Sequence, residues 1–71
     1  MERFGEKLRT LRKRQGISLR KLATDLEFSS HAHLGRIETG EKRPSAVLIL
    51  KITRYFNVST DQLMKDEFEL D

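Results

Sequence analysis

Two histidines, His31 and His33, and an arginine, Arg36, fall within one short stretch, LEFSSHAHLGRIETG, Leu26 to Gly40. Imidazoles this close suggest a metal site, and the arginine suggests recognition of an anion or a base edge. The metal reading fails on direction. Each helical residue turns about 100°, so side chains two apart point about 200° apart and do not readily share one ion. No third or fourth ligand is evident, and a chain without cysteine has neither thiolate zinc sites nor disulfides. No metal or cofactor is expected. Catalysis fares no better. Asp25, Glu27 and Glu38 form no acid and base pair that the sequence supports, and neither a glycine-rich phosphate loop nor a cysteine nucleophile is present. A domain this small has little room for a pocket, so an enzyme is not expected.

What remains is charge. The 71 residues carry a formal net charge of +3, but unevenly. From Met1 to Arg43, eleven Lys and Arg face six Asp and Glu; from Pro44 to Asp71, three face five. A basic surplus confined to one part of the chain is the electrostatic footprint of a phosphate-binding face. The length suits one small domain, 1–71. No apolar run approaches the roughly 18 residues of a membrane span, and MERFGEKLR has no signal-peptide apolar region. A soluble, cytoplasmic protein with no membrane partner is expected.

Helix signals recur at short intervals, and no period-two alternation suggests a sheet. Phe4, Leu8 and Leu11 form one apolar stripe, with Lys7, Arg9, Arg12, Lys13 and Arg14 around it and Gly16 as the left-handed stop. Ser18 caps a short second helix that buries Leu19, Leu22, Ala23 and Leu26. Ser29 or Ser30 caps a third, with Leu34 and Ile37 inward and Gly40 at its end. Ser45 opens a fourth, whose inward positions are read as Ala46, Ile49, Leu50, Ile52, Thr53 and Phe56, with Asn57 in a left-handed turn. Ser59 with Gln62 is a capping box for a fifth, carrying Leu63, Met64 and Phe68. The short acidic tail, about 66–71, is expected to fray. The fold class is therefore all-α, with five short helices.

Two short helices joined by a few residues, the second followed by E-x-G, make the pattern of a helix-turn-helix, here about 18–39. KLRTLRKRQGIS (Lys7 to Ser18), LRKLA (Leu19 to Ala23), HLGRIETG (His33 to Gly40), RPS (Arg43 to Ser45) and LILKITRYFNVSTDQL (Leu48 to Leu63) follow in the right order and spacing. On these residues the chain, from about Phe4 to Met64, resembles the lambda-repressor-like, or Cro and xenobiotic-response-element, family of helix-turn-helix DNA-binding domains. The resemblance implies a compact five-helix domain that binds double-stranded DNA, as a sequence-specific transcriptional regulator and usually as a homodimer on a pseudo-palindrome. It implies that Ser30, His31, Ala32 and Arg36 face base edges. Of these, Arg36 has the strongest chemistry, because a guanidinium bonds guanine O6 and N7 together. Arg20, Lys21, Lys42 and Arg43 are positioned to neutralise phosphates and fix register. Arg12 and Glu38 correspond to a structural ion pair of the family.

The chain also departs from the family pattern. Leu19 stands where a glutamine usually contacts the DNA backbone, and Lys21 occupies the capping-box position. Glu27 stands where the family has glycine, and one extra residue lies between Phe28 and Leu34. Gly35, inside the third helix, is either a tolerated defect or a point of close approach to DNA. Leu48, Ile52 and Tyr55 make a stripe at i, i+4, i+7. With Leu63, Met64 and Phe68 it is a possible dimer interface, or else additional core. A protein-interaction module on the same scaffold, with a regulatory protein as partner and weak DNA binding, is the alternative reading.

Overall fold

In the computed structural model, residues 1–70 are described, and Asp71, the last residue of the acidic tail, lies outside them. The elements are α1 (Phe4–Arg14), α2 (Leu19–Asp25), α3 (His31–Thr39), α4 (Ala46–Phe56) and α5 (Thr60–Met64), with no strand among the described residues. The all-α reading therefore holds. Local chemistry sets most boundaries. Ser18, Ser30, Ser45 and Ser59 each cap a helix by accepting from the backbone N–H three residues on. Ser59 and Gln62 complete the capping box, satisfying two donors that a helix start leaves open.

The helix ends are equally local. Gly16 and Gly40 are left-handed after α1 and α3, and Asn57 after α4. The turn after α2 differs, because Glu27 takes φ 55°. The Glu27 N–H bonds Thr24 O at 3.1 Å and the Phe28 N–H bonds Ala23 O at 2.8 Å, the paired closure of a Schellman motif. A side chain in this region costs about 1 to 2 kcal/mol that glycine does not incur. Glu27 is exposed, and its side chain has no hydrogen-bond or ion-pair partner among the described residues. Glu27→Gly is thus expected to stabilise the fold by about 1 kcal/mol, read as a higher melting temperature; a lower one would show that Glu27 contributes something beyond the turn.

The core gathers Phe4, Leu8 and Leu11 of α1, Leu22 and Ala23 of α2, and Leu26 from the turn. Leu34 and Ile37 of α3, Leu48, Ile49 and Ile52 of α4, and Leu63 of α5 complete it. α3 packs on both α1 and α2, while α5 joins α1 to α4. A Cβ on Gly5 would fall within van der Waals distance of Ile37 O and Glu38 O, so α1 and α3 meet backbone to side-chain-free backbone there.

Four sequence expectations need correction. Leu48 and Leu63 are buried in the core and are not available to a dimer interface. On α4 the buried set is Leu48, Ile49, Ile52 and Thr53, whereas Ala46 and Leu50 point outward. The run AVLILKI is apolar on nearly every side, so periodicity alone does not choose its inner face. Lys7, read with the surrounding cations, is only 2% exposed. Its Nζ donates to Gln62 O, Lys65 O and Phe68 O at 2.6, 2.8 and 2.5 Å, which uses all three ammonium protons.

Residues 66–70 of the tail, expected to fray, are instead tied to the body of the domain. Asp66 accepts from the backbone N–H groups of Glu2 and Arg3 at 3.1 and 2.9 Å, supplying the acceptor that α1 lacks locally, since Arg3 provides no side-chain cap. These bonds, led by that from Arg3, hold the Asp66 carboxyl below the usual carboxylate range. Arg3 also reaches Asp66 O and Glu69, and Gln62 Nε2 donates to Leu70 O.

Candidate nucleic-acid interface

α3 presents two unlike sides. Leu34 and Ile37 are buried, while Ala32, Arg36 and Thr39 are exposed. At about 100° per residue those three fall within about 60° of one another, a single outward stripe along the helix. His31 is exposed but lies about 80° beyond the nearest member of that stripe, outside it. Ser30 is the cap: its oxygen accepts from the His33 N–H at 3.1 Å, which leaves the hydroxyl proton free to donate outward. The two histidines diverge. His33 is partly buried with its ring 5.6 Å from that of Phe28, so it packs the turn instead of facing solvent with His31. Thr39 was not singled out by sequence reasoning; its place one turn beyond Arg36 was the available signal.

Arg20, Arg36, Lys42 and Arg43 are all exposed, and none has a hydrogen-bond or ion-pair acceptor for its side chain among the described residues. Arg9, Lys13 and Arg54 share that property on α1 and α4. What sets the first group apart is its position on α3, in the loop directly after it, and at the start of α2. Lys21 is different. Its Nζ lies 3.1 Å from Asp25 Oδ1, and the Tyr55 hydroxyl donates to Asp25 Oδ2 at 2.5 Å. The Tyr55 hydroxyl, and then Lys21, hold the Asp25 carboxyl below its usual range, while Asp25 pushes the Tyr55 phenol up.

Several contacts fix α3 at its angle. The Arg12 guanidinium grips Glu38 with two bonds, Nε to Oε2 at 2.7 Å and Nη2 to Oε1 at 3.1 Å, and gives Nη1 to Ile17 O at 2.8 Å. One side chain thus joins α1, the turn after it and the end of α3. The hydrogen bonds that Arg12 donates to Glu38 hold its guanidinium above the usual range despite partial burial. Gly35 faces α2, where an added Cβ would make ordinary contact with the Leu19 side chain, so within this fold its neighbour is protein. Lys51, on α4, donates to Leu26 O at 3.0 Å and ties the turn before α3 to α4. The bond from Lys51 to Leu26 O and that from Tyr55 to Asp25 escaped sequence reasoning because the partners are 25 and 30 positions apart.

Among the described residues no helix is long and apolar enough to cross a membrane.

Comparison with known proteins agrees with this geometry. Residues 3–65 match the family model described as a helix-turn-helix domain. The chain is 32% identical over 71 residues to the SPbeta prophage-derived uncharacterized HTH-type transcriptional regulator YonR of Bacillus subtilis strain 168. That match covers 96% of this chain, and the chain spans 65% of that relative's length. Among solved structures, the N-terminal DNA binding domain of SinR from Bacillus subtilis superposes with a TM-score of 0.84 at 26% identity, covering 97% of this chain and 100% of that one. The restriction-modification controller protein C.AhdI from Aeromonas hydrophila gives a TM-score of 0.77 at 30% identity, over 89% of this chain and 94% of that one. The chain belongs to the helix-turn-helix domain family, in its lambda-repressor-like, xenobiotic-response-element form.

Proposed function

We propose that the chain is a sequence-specific DNA-binding transcriptional regulator of the cytoplasm, a repressor or autoregulator that binds a pseudo-palindromic operator as a homodimer. The observation that carries this reading is the outward stripe of α3, with Arg36 at its centre, flanked by Arg20, Lys42 and Arg43, whose charges have no acceptor among the described residues. In this reading α3 enters the major groove. Ser30, His31, Ala32 and Arg36 meet base edges, and the loop after α3 and the start of α2 meet phosphates. The DNA-binding domain of SinR and the regulator YonR support DNA as the partner. Two copies would set their α3 helices about 34 Å apart, one helical turn of DNA. Exposed Tyr55 and Phe68 and half-buried Met64 remain accessible for a homodimer contact, and Val47 and Leu50 are the other large exposed apolar side chains of α4.

Selection from random-sequence DNA pools at two salt concentrations tests this. A palindrome should be enriched, with affinity falling steeply as salt rises. A single half-site would overturn the dimer, and no enrichment at all would favour the interaction module. On the enriched site, Arg36→Ala should relax preference at one base per half-site, worth about 1 to 3 kcal/mol of discrimination. Arg43→Ala should instead weaken all sequences alike and reduce the salt slope by about one.

A further inference from the structure

We infer that Asp25 is an internal competitor for Lys21 and thereby sets the strength of phosphate binding at the start of α2; the inference rests on the DNA-binding reading above. Lys21 is the third residue of α2, near the helix N-terminus, where the dipole does not favour a cation. Its partner one turn on, Asp25, stands in the less stabilising order for such a pair, since the acidic residue is better placed N-terminal to the basic one. Helix stability therefore gives little reason for the pair. Its persistence has another source. Asp25 is clamped from outside the helix, because the Tyr55 hydroxyl of α4 bonds its second oxygen at 2.5 Å. The Asp25 side chain is 22% exposed and that of Lys21 60% exposed. The carboxylate is the fixed member and the ammonium the mobile one.

Lys21 thus already has an acceptor, unlike Arg20, Lys42 and Arg43. A DNA phosphate that approaches Lys21 has to displace a carboxylate fixed beside it, and it meets that carboxylate's repulsion at the same time. The net effect is one cation fewer on the phosphate-facing surface than the sequence counts, and a weaker sequence-independent component of binding. Since phosphate contacts carry no sequence information directly, Asp25 raises the share of affinity that depends on the bases.

The test is Asp25→Asn, which removes the charge and keeps an acceptor for Tyr55. Affinity for a mixed-sequence DNA duplex is measured by fluorescence anisotropy between about 50 and 200 mM salt. The variant should bind about three- to tenfold more tightly at the lower salt, with a salt slope steeper by about 0.9, the value of one added phosphate contact. That advantage should shrink about 3.5-fold across the salt range. In a Lys21→Met background, Asp25→Asn should keep only the smaller part of that gain that comes from the lost repulsion, and should add no phosphate contact. A gain of the same size there would be a general effect of net charge and would overturn the inference. So would an Asp25→Asn variant indistinguishable from a wild type that itself binds DNA. A wild type with no affinity for DNA at low salt would instead overturn the DNA-binding reading, and the inference with it.

Discussion

Glu38→Ala should cost about 3 to 5 kcal/mol of folding stability, a large part of the roughly 4 to 10 kcal/mol expected for a domain of this length. The loss comes from what is left behind more than from what is removed. The side chains of Arg12 and Glu38 are 13% and 5% exposed, so both charges have given up most of their water. With Glu38 gone, Arg12 keeps only its bond to Ile17 O, and a guanidinium with most of its donors idle stays at the junction of α1 and α3. A pair of this kind is costly to break and far less costly to replace. Arg12→Met with Glu38→Leu should therefore recover much of the loss, with Ile17 O as the main group still short of a donor. Thermal melts read both effects, at about 4 to 8 °C per kcal/mol for a domain this small. A Glu38→Ala variant that melts with the wild type would mean the pair is fully compensated by water. Because Glu38 lies in the last turn of α3 and Arg12 also holds the turn before α2, the same variant should loosen the α3 angle and weaken DNA binding beyond its effect on folding.

How much of this was legible in the sequence follows from the range of each interaction. The serine caps, Gly16, Gly40 and Asn57 depend on partners within a few positions, so Ser18, Ser45 and Ser59 could be named from the sequence and Ser30 was one of two alternatives. The apolar positions of α1 and α3 were also readable, since each has a clear polar face. On α4 they were not, because Val47, Leu48, Ile49 and Leu50 are consecutive and tertiary packing, that of α5 against α4 included, decides which of them is inside. The turn before α3 gave a partial signal. Glu27 stood out where glycine was expected, but that its backbone would still adopt φ 55° depends on the closing bonds to Ala23 and Thr24 and on the burial of Leu26. Long-range polar contacts were the least legible. Asp66 at the start of α1 and Lys7 under α5 are separated from their partners by 55 to 64 positions. No periodicity marks a lysine as buried. At the interface the residue types were informative and their engagement was not: Lys21 and Arg20 look alike in sequence, yet only Lys21 has a clamped carboxylate beside it.

The second large effect is expected from Lys7→Met, which preserves most of the side chain's volume while removing the ammonium. Two opposing effects decide the sign. Taking a charge out of water is expensive, so an apolar replacement removes a desolvation cost. Against that, methionine leaves Gln62 O, Lys65 O and Phe68 O without their common donor. Hydrogen bonds to a charged group contribute about 1.5 to 3 kcal/mol each, and an unsatisfied buried acceptor costs about 1 to 3 kcal/mol. Lys65 O retains its bond from the Phe68 N–H, so the loss is not threefold. The ammonium is fully satisfied in the native fold, which favours the lysine, and a net loss of about 2 kcal/mol is expected. Its location is more diagnostic than its size. α5 has only five residues, too few to persist alone, and it is held by its capping box, by buried Leu63 and by Lys7 at its far end. Hydrogen exchange in Lys7→Met should therefore accelerate first in α5 and the segment after it, while amides of α2 and α3 keep their protection relative to global unfolding. A variant as stable as the wild type or more so would show that desolvation outweighs the three bonds. Uniform acceleration across all five helices would show that α5 does not open separately from the rest.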